Sequence, residues 1–163
     1  MPVSEEFKRT IGKPLGKIPS GVYILTASHN GRTHAMLASW VQQAAFDPPA
    51  VSVAIAKDRP IYPLVRDSGH FALSILGEHD APLMKRYARG IEPDQDAFEG
   101  VSTLNSPAGI PCIADALGWL ECRVMSICEF GADHDLILGQ VTAAELLRDG
   151  APFKHSRGNG FHY

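Results

Sequence analysis

From Ser20 onward the chain alternates between apolar runs and short polar breaks. "SGVYILTASHNGRTHAMLASWVQQ" holds two β-rich runs on either side of Asn30-Gly31, the dipeptide that best supplies the positive φ angles of a type I′ turn. An antiparallel hairpin from about Gly21 to Gln43 is predicted. "FDPP" stops its second strand, because proline cannot donate to a ladder, and "AVSVAIA" (Ala50 to Ala56) resumes as a third. Asp58 as N-cap and Pro60 just inside then signal a short helix that runs towards Arg66 and stops before Gly69.

"HFALSIL" reads as a fourth strand, and Asp80 caps a second helix, "APLMKRYAR", closed by Gly90. A looser stretch from Gly90 to Pro111 follows. In "WLECRVMSICEF" the alternation sets Leu120, Cys122, Val124, Cys128 and Phe130 on one face and Glu121, Arg123 and Glu129 on the other. "HDLILGQVTAAELL" is its partner across Gly131-Ala132-Asp133, and the tail "APFKHSRGNGFHY" is basic, glycine-rich and aromatic. Six or so strands interrupted by two short helices lack the strand-helix alternation of a doubly wound fold. The class predicted is mainly β, an antiparallel barrel with short helices.

Composition narrows the functional classes. At 163 residues the chain suits one domain, and 45% apolar with 20% charged residues is the balance of an ordinary globular protein. A net charge of −3 argues against a nucleic-acid partner, though it leaves room for a local anion pocket. "MPVSEEFKRTIGK" is too charged for a secretory leader and no run is long enough to span a membrane, so a cytoplasmic location is expected. Cys112, Cys122 and Cys128 lack metal-ligand spacing and are expected as buried free thiols; the seven histidines lack the spacing of a metal cage.

The candidate chemistry lies in "MLASWVQQAAFDPPAVSVAIAKDRP". No Rossmann fingerprint or P-loop is present, so a nucleotide would be held some other way. Small Ala38 and Ser39 allow a flat ligand to approach the backbone, with Ser39 and Gln42 or Gln43 adding hydrogen bonds. Lys57 and Arg59 stand where a helix begins, and cations beside a helix N-terminus make a phosphate site. Solvent-facing strand positions and a charged turn would leave the same pattern.

The order of these segments, with "SGHFALSIL", "LGWLECRV", "GADHDLILGQV" and "KHSRGNGFHY", resembles the flavin reductase-like domain family, an FMN-binding split barrel, over Pro19 to Tyr163. The Ser-Trp-Val strand and the tail are most like flavoredoxin and the C-terminal reductase module of diflavin flavoproteins. Ala132 is inserted in the Gly-Asp-His turn, and Ser74 stands where many relatives carry asparagine.

The resemblance implies a single domain over residues 1–163 that binds FMN along Ala38, Ser39, Trp40, Val41, Gln42 and Gln43, with Lys57, Asp58 and Arg59 at the phosphate. It implies NAD(P)H as hydride donor with His134 near the nicotinamide, a possible protein electron acceptor, and a homodimer. The function expected is an NAD(P)H:FMN oxidoreductase. A flavoredoxin-like electron carrier, reduced by a protein partner, is the alternative.

Overall fold

A computed structural model describes residues 3 to 162. It opens with a helix the strand pattern gave no hint of, α1 (Glu5–Gly16), whose N-cap Ser4 accepts a hydrogen bond from the Phe7 N–H at 3.2 Å. Strands β1 (Tyr23–His29) and β2 (Arg32–Ala38) form the predicted hairpin, with Asn30 and Gly31 at φ 50° and 75° as a type I′ turn needs.

The second strand does not run on to Gln43. It stops at Ala38, and after Ser39 and Trp40 a new strand begins, β3 (Val41–Phe46), which pairs with β4 (Pro49–Ala56) across a turn containing the cis Asp47–Pro48 bond. Helix α2 (Ile61–Ser68) follows and ends at Gly69, φ 70°. Asp58 does not cap it: the helix starts from Pro60 with no side-chain cap, because the Ala56–Arg59 turn, closed by Arg59 N–H to Ala56 C=O at 3.1 Å, intervenes.

Strand β5 (His70–Ile75) and helix α3 (Ala81–Ala88) lie where the sequence put them. Asp80 does not cap α3 through its side chain; its carboxylate accepts from Gly77 N–H at 2.6 Å and pairs with Arg148 at 2.8 Å. The loose stretch contains β6 (Thr103–Asn105), which pairs with β7 (Pro111–Ile113); β8 (Gly118–Cys128) and β9 (His134–Leu146) complete the chain as a long hairpin.

Seven strands form one antiparallel sheet in the order β2-β1-β5-β8-β9-β4-β3. Its two edge strands, β2 and β3, are neighbours in the chain. Two residues of extended chain span only about 10 Å between flanking Cα atoms, so the Ser39–Trp40 link brings opposite edges of the sheet together and rolls it into a barrel. Trp40 C=O accepts from Ala54 N–H at 3.0 Å, which fixes the corner to β4.

Strand β1 is buried on both faces, which explains its near-continuous apolar run. Leu25 packs inside the barrel with Val53, Phe71, Cys122 and Ile137, where α2 adds Ile61 and Val65. Ile24 faces the other way, into a second cluster with Leu76, Tyr87 and Ile113.

Two expectations for β8 are corrected. Bulges between Glu121 and Cys122 and between Val124 and Ser126 reset its alternation. Glu121, expected on the open face, is 6% exposed beneath the 106–110 loop, while Cys128 and Phe130 are exposed. The Cys112 and Cys122 thiols are buried and free as expected, and burial raises both to about 12. No helix among the described residues is long and apolar enough to cross a membrane.

Candidate functional site

Two cavities flank the Ser39–Trp40 corner. The inner cleft, about 340 Å³, has apolar walls from Met36, Leu37, Ile61, Met84 and Tyr87, and polar groups from Ser39, Arg59, His155 and Arg157. The second, about 480 Å³, is lined by Leu15 and Ile18 at the end of α1, by Trp40, Asp133 and His134, and by the tail through Arg157 and Phe161. Both sizes fall within the roughly 300 to 1,000 Å³ of small-molecule sites.

The tail reaches this place because glycines let it lie on α1. A Cβ on Gly12 would come within 2.6 Å of Asn159 Oδ1, and one on Gly160 would collide with Leu15 Cβ. Gly160 N–H donates to Gly12 C=O at 2.7 Å, and His155 exchanges main-chain hydrogen bonds with Ser20 at 2.8 and 2.9 Å.

In the second pocket the His134 ring lies 4.8 Å from the Trp40 ring, centroid to centroid, at 46°. Since an ionised carboxylate only accepts, His134 Nδ1 donates to Asp133 Oδ1 at 2.9 Å, which fixes the ring's orientation. That bond, with the nearby His134, holds the exposed Asp133 carboxyl below its usual range.

Asp135, the next residue along β9, points into the barrel. It is 1% exposed, accepts from the Tyr62 hydroxyl at 2.5 Å and faces Lys57 Nζ at 3.3 Å. Its Oδ1 makes no aligned hydrogen bond, so the Lys57 contact is an ion pair through space. A buried carboxylate needs such company.

The sequence candidates therefore separate into groups. Ser39 and Arg59 line the inner cleft, beside the first turn of α2, which carries no acidic residue. Trp40 and His134 line the second pocket. Ala38 is buried in the barrel core and Val41 half-buried against it. Lys57 is committed to Asp135. Asp58 is exposed in the turn, and the Gln42 and Gln43 side chains are exposed on edge strand β3; none of these three lines either cavity.

Sequence reasoning missed Asp135, Tyr62 and Arg157. A lone carboxylate in the apolar run "HDLILG" was a signal for the first, and the arginine in the glycine-rich tail for the third. Ser74, the departure noted above, is 1% exposed and accepts from Ile113 N–H at 2.9 Å, holding β7 against the sheet.

Apolar walls, a small polar residue at the corner and Arg59 beside the first turn of α2 suit a flavin. Comparison with known proteins agrees. A model described as flavin reductase like domain matches residues 15–160. Diflavin flavoprotein A 1 of Synechocystis sp. is 41% identical over 153 residues, which are 93% of this chain and 26% of that protein. The chain thus spans about a quarter of the length of the curated relatives it matches. Among solved structures, nitrilotriacetate monooxygenase component B from Mycobacterium thermoresistibile is 28% identical with a TM-score of 0.82, covering 92% of this chain and 83% of its own. The flavin reductase PheA2 is 26% identical with a TM-score of 0.79, covering 96% and 95%.

Proposed function

This chain belongs to the flavin reductase-like domain family, and from that premise we propose that it is an NAD(P)H-dependent reductase acting through FMN. The family is that of flavin-linked oxidoreductases, and the barrel is its split barrel. The single observation that carries the finer reading is the pair of cavities on either side of Trp40, one with arginines and apolar walls, the other with an oriented histidine beside an aromatic ring.

A bound flavin supplies the ring that accepts a hydride. The chain's own residues hold and aim the two nucleotides. Met36, Leu37 and Tyr87 give the ring an apolar bed, with the backbone from Ala38 to Gln43 bending past it and Ser39 as hydrogen-bonding group. Arg59 and the first turn of α2 take the phosphate, while Lys57 is held by Asp135 and Asp58 stays in the exposed turn beside them. His134, oriented by Asp133 and packed on Trp40, seats the nicotinamide in the second pocket. No proton-transfer group is required for the hydride itself.

The whole chain acts as one flavin-binding domain in the cytoplasm, as a homodimer. Its acceptor is free flavin or a protein; one structural neighbour is by name a component of a monooxygenase. The test is to load the protein with FMN, remove oxygen and add NADH. Bleaching of the flavin bands at a rate that saturates with NADH supports the reading, and stable yellow colour overturns it. The electron-carrier alternative draws support from the diflavin relatives, in which the matching segment is part of a longer chain. A carrier leaves NADH unoxidised when free FMN is added.

A further inference from the structure

Among the described residues, Arg157 alone lines both cavities. Its guanidinium carbon stands 5.2 Å from the centroid of the Trp40 ring, which in turn lies against the His134 ring at a tilt of 46°. No carboxylate among the described residues forms an ion pair with it. The position is fixed by main chain: Arg157 N–H donates to Gly16 C=O at 3.0 Å. A Cβ on Gly16 would lie 2.5 Å from Arg157 C=O, so the approach of α1 requires glycine there. Changing the side chain of Arg157 leaves that anchor intact.

Resting on the flavin assignment above, we propose that Arg157 sets the redox preference of the site by holding the reduced flavin more tightly than the oxidised one. The argument is one of charge. Two electrons and one proton, transferred together as hydride from the nicotinamide, break a donor C–H bond and form an N–H bond on the flavin. The ring then carries one negative charge more than before, and the donor one positive charge more. Reaction requires the two rings to meet where the cavities meet, and Arg157 stands at that junction. A cation that no carboxylate among the described residues neutralises favours the anionic ring over the neutral one and disfavours the spent, cationic donor beside it. The face of Trp40 holds the guanidinium in place through a cation–π contact. Arg59 lines only the inner cleft, so the junction charge is Arg157's own.

The experiment is an anaerobic titration of wild type, R157A, R157Q and R157K with oxidised FMN and with chemically reduced FMN, with a melting curve for each protein. Loss of a charge-assisted contact predicts that R157A and R157Q bind reduced FMN about tenfold more weakly or worse, while oxidised FMN changes by less than about threefold. R157K, which keeps the charge, recovers most of the difference. Equal weakening of both redox states, as expected if Arg157 merely holds a phosphate or braces the tail, overturns the proposal; so does no weakening of either. If wild type binds FMN in neither state, the flavin assignment fails and the proposal falls with it. A normal wild-type affinity with an unchanged ratio in R157Q sinks the role of Arg157 alone.

Discussion

The Tyr62 hydroxyl donates to Asp135 Oδ2 at 2.5 Å, tying the first turn of α2 to β9 directly behind His134. That bond, with burial second, raises the Tyr62 phenol from 10 to about 12. The neutral phenol is therefore the form the fold favours. Its contribution is complete below pH 10 and is lost as the pH rises from 10 towards about 12. Tyr62→Phe should cost about 1 to 3 kcal/mol at neutral pH, since buried Asp135 keeps only Lys57. Melting curves across that alkaline window should show the wild type losing its advantage over the variant; parallel curves would rule the bond out as the cause.

Arg59 and Lys57 should part company when each is changed to alanine. Arg59→Ala weakens FMN much more than riboflavin, by the roughly 1.5 to 3 kcal/mol of a charge-assisted phosphate contact. Lys57→Ala strips the ion pair from Asp135 and acts first on stability. Calorimetric titration with both ligands, next to melting curves, separates the two. Equal losses for FMN and riboflavin in Arg59→Ala would remove it from the phosphate.

His134→Ala should leave FMN affinity nearly unchanged while raising the apparent KM for NAD(P)H or slowing flavin reduction, because a positioning contact acts through orientation. The measurement is stopped-flow reduction of bound FMN over a range of NADH. A histidine with only a structural role gives a lower Tm and unchanged reduction kinetics.

Glu121 carries the acid limb of the stability curve. Burial alone would push its carboxyl up, but hydrogen bonds from Ser106, Ala108 N–H and Thr142, with the charge of His70, outweigh burial and hold it below its ordinary 4.5. The stabilisation is full above pH 4.5 and is lost as the pH falls through the lowered value. Glu121→Gln, which cannot accept with both side-chain positions, should cost about 1 to 3 kcal/mol at pH 7 and lose less on acidification. Denaturant midpoints at pH 7 and pH 3.5 test this.

Strand β3 leaves one edge unpaired and presents Phe46 at 90% exposure. If a second copy covers this face, light scattering at micromolar concentration gives twice the monomer mass, and Phe46→Asp shifts the protein towards monomer. A monomeric wild type that binds FMN would dispose of the dimer.

The β1–β2 hairpin and the helices α2 and α3 were legible because their signals are local: Asn30-Gly31, Gly69 and Gly90. The break at Ser39–Trp40 was not, since nothing in "MLASWVQQ" says that its halves belong to opposite edges of one sheet. Glu121 was misplaced for a similar reason. Its hydrogen-bonding partners lie from 13 to 21 residues away, and a bulge leaves no mark in the periodicity. Of the segment singled out in the sequence, Ser39, Trp40 and Arg59 line the cavities, while the places of Arg157 and Asp135 are set by contacts made only when the tail and β9 close upon that segment.

The two-residue link between β2 and β3 also ties the birth of the site to the order of folding. Strands adjacent in sequence usually pair early, because the loop to be closed is short. Here β2 pairs with β1 and β3 with β4, and the two hairpins join into one sheet only through a series that ends with the long β8–β9 hairpin. The corner is thus among the last places to become ordered, and among the first to open when the barrel's edges breathe. Amide protons at Trp40 and Val41 should exchange with solvent sooner than those of β1. A molecule bound at the corner would act as a clasp on the whole barrel.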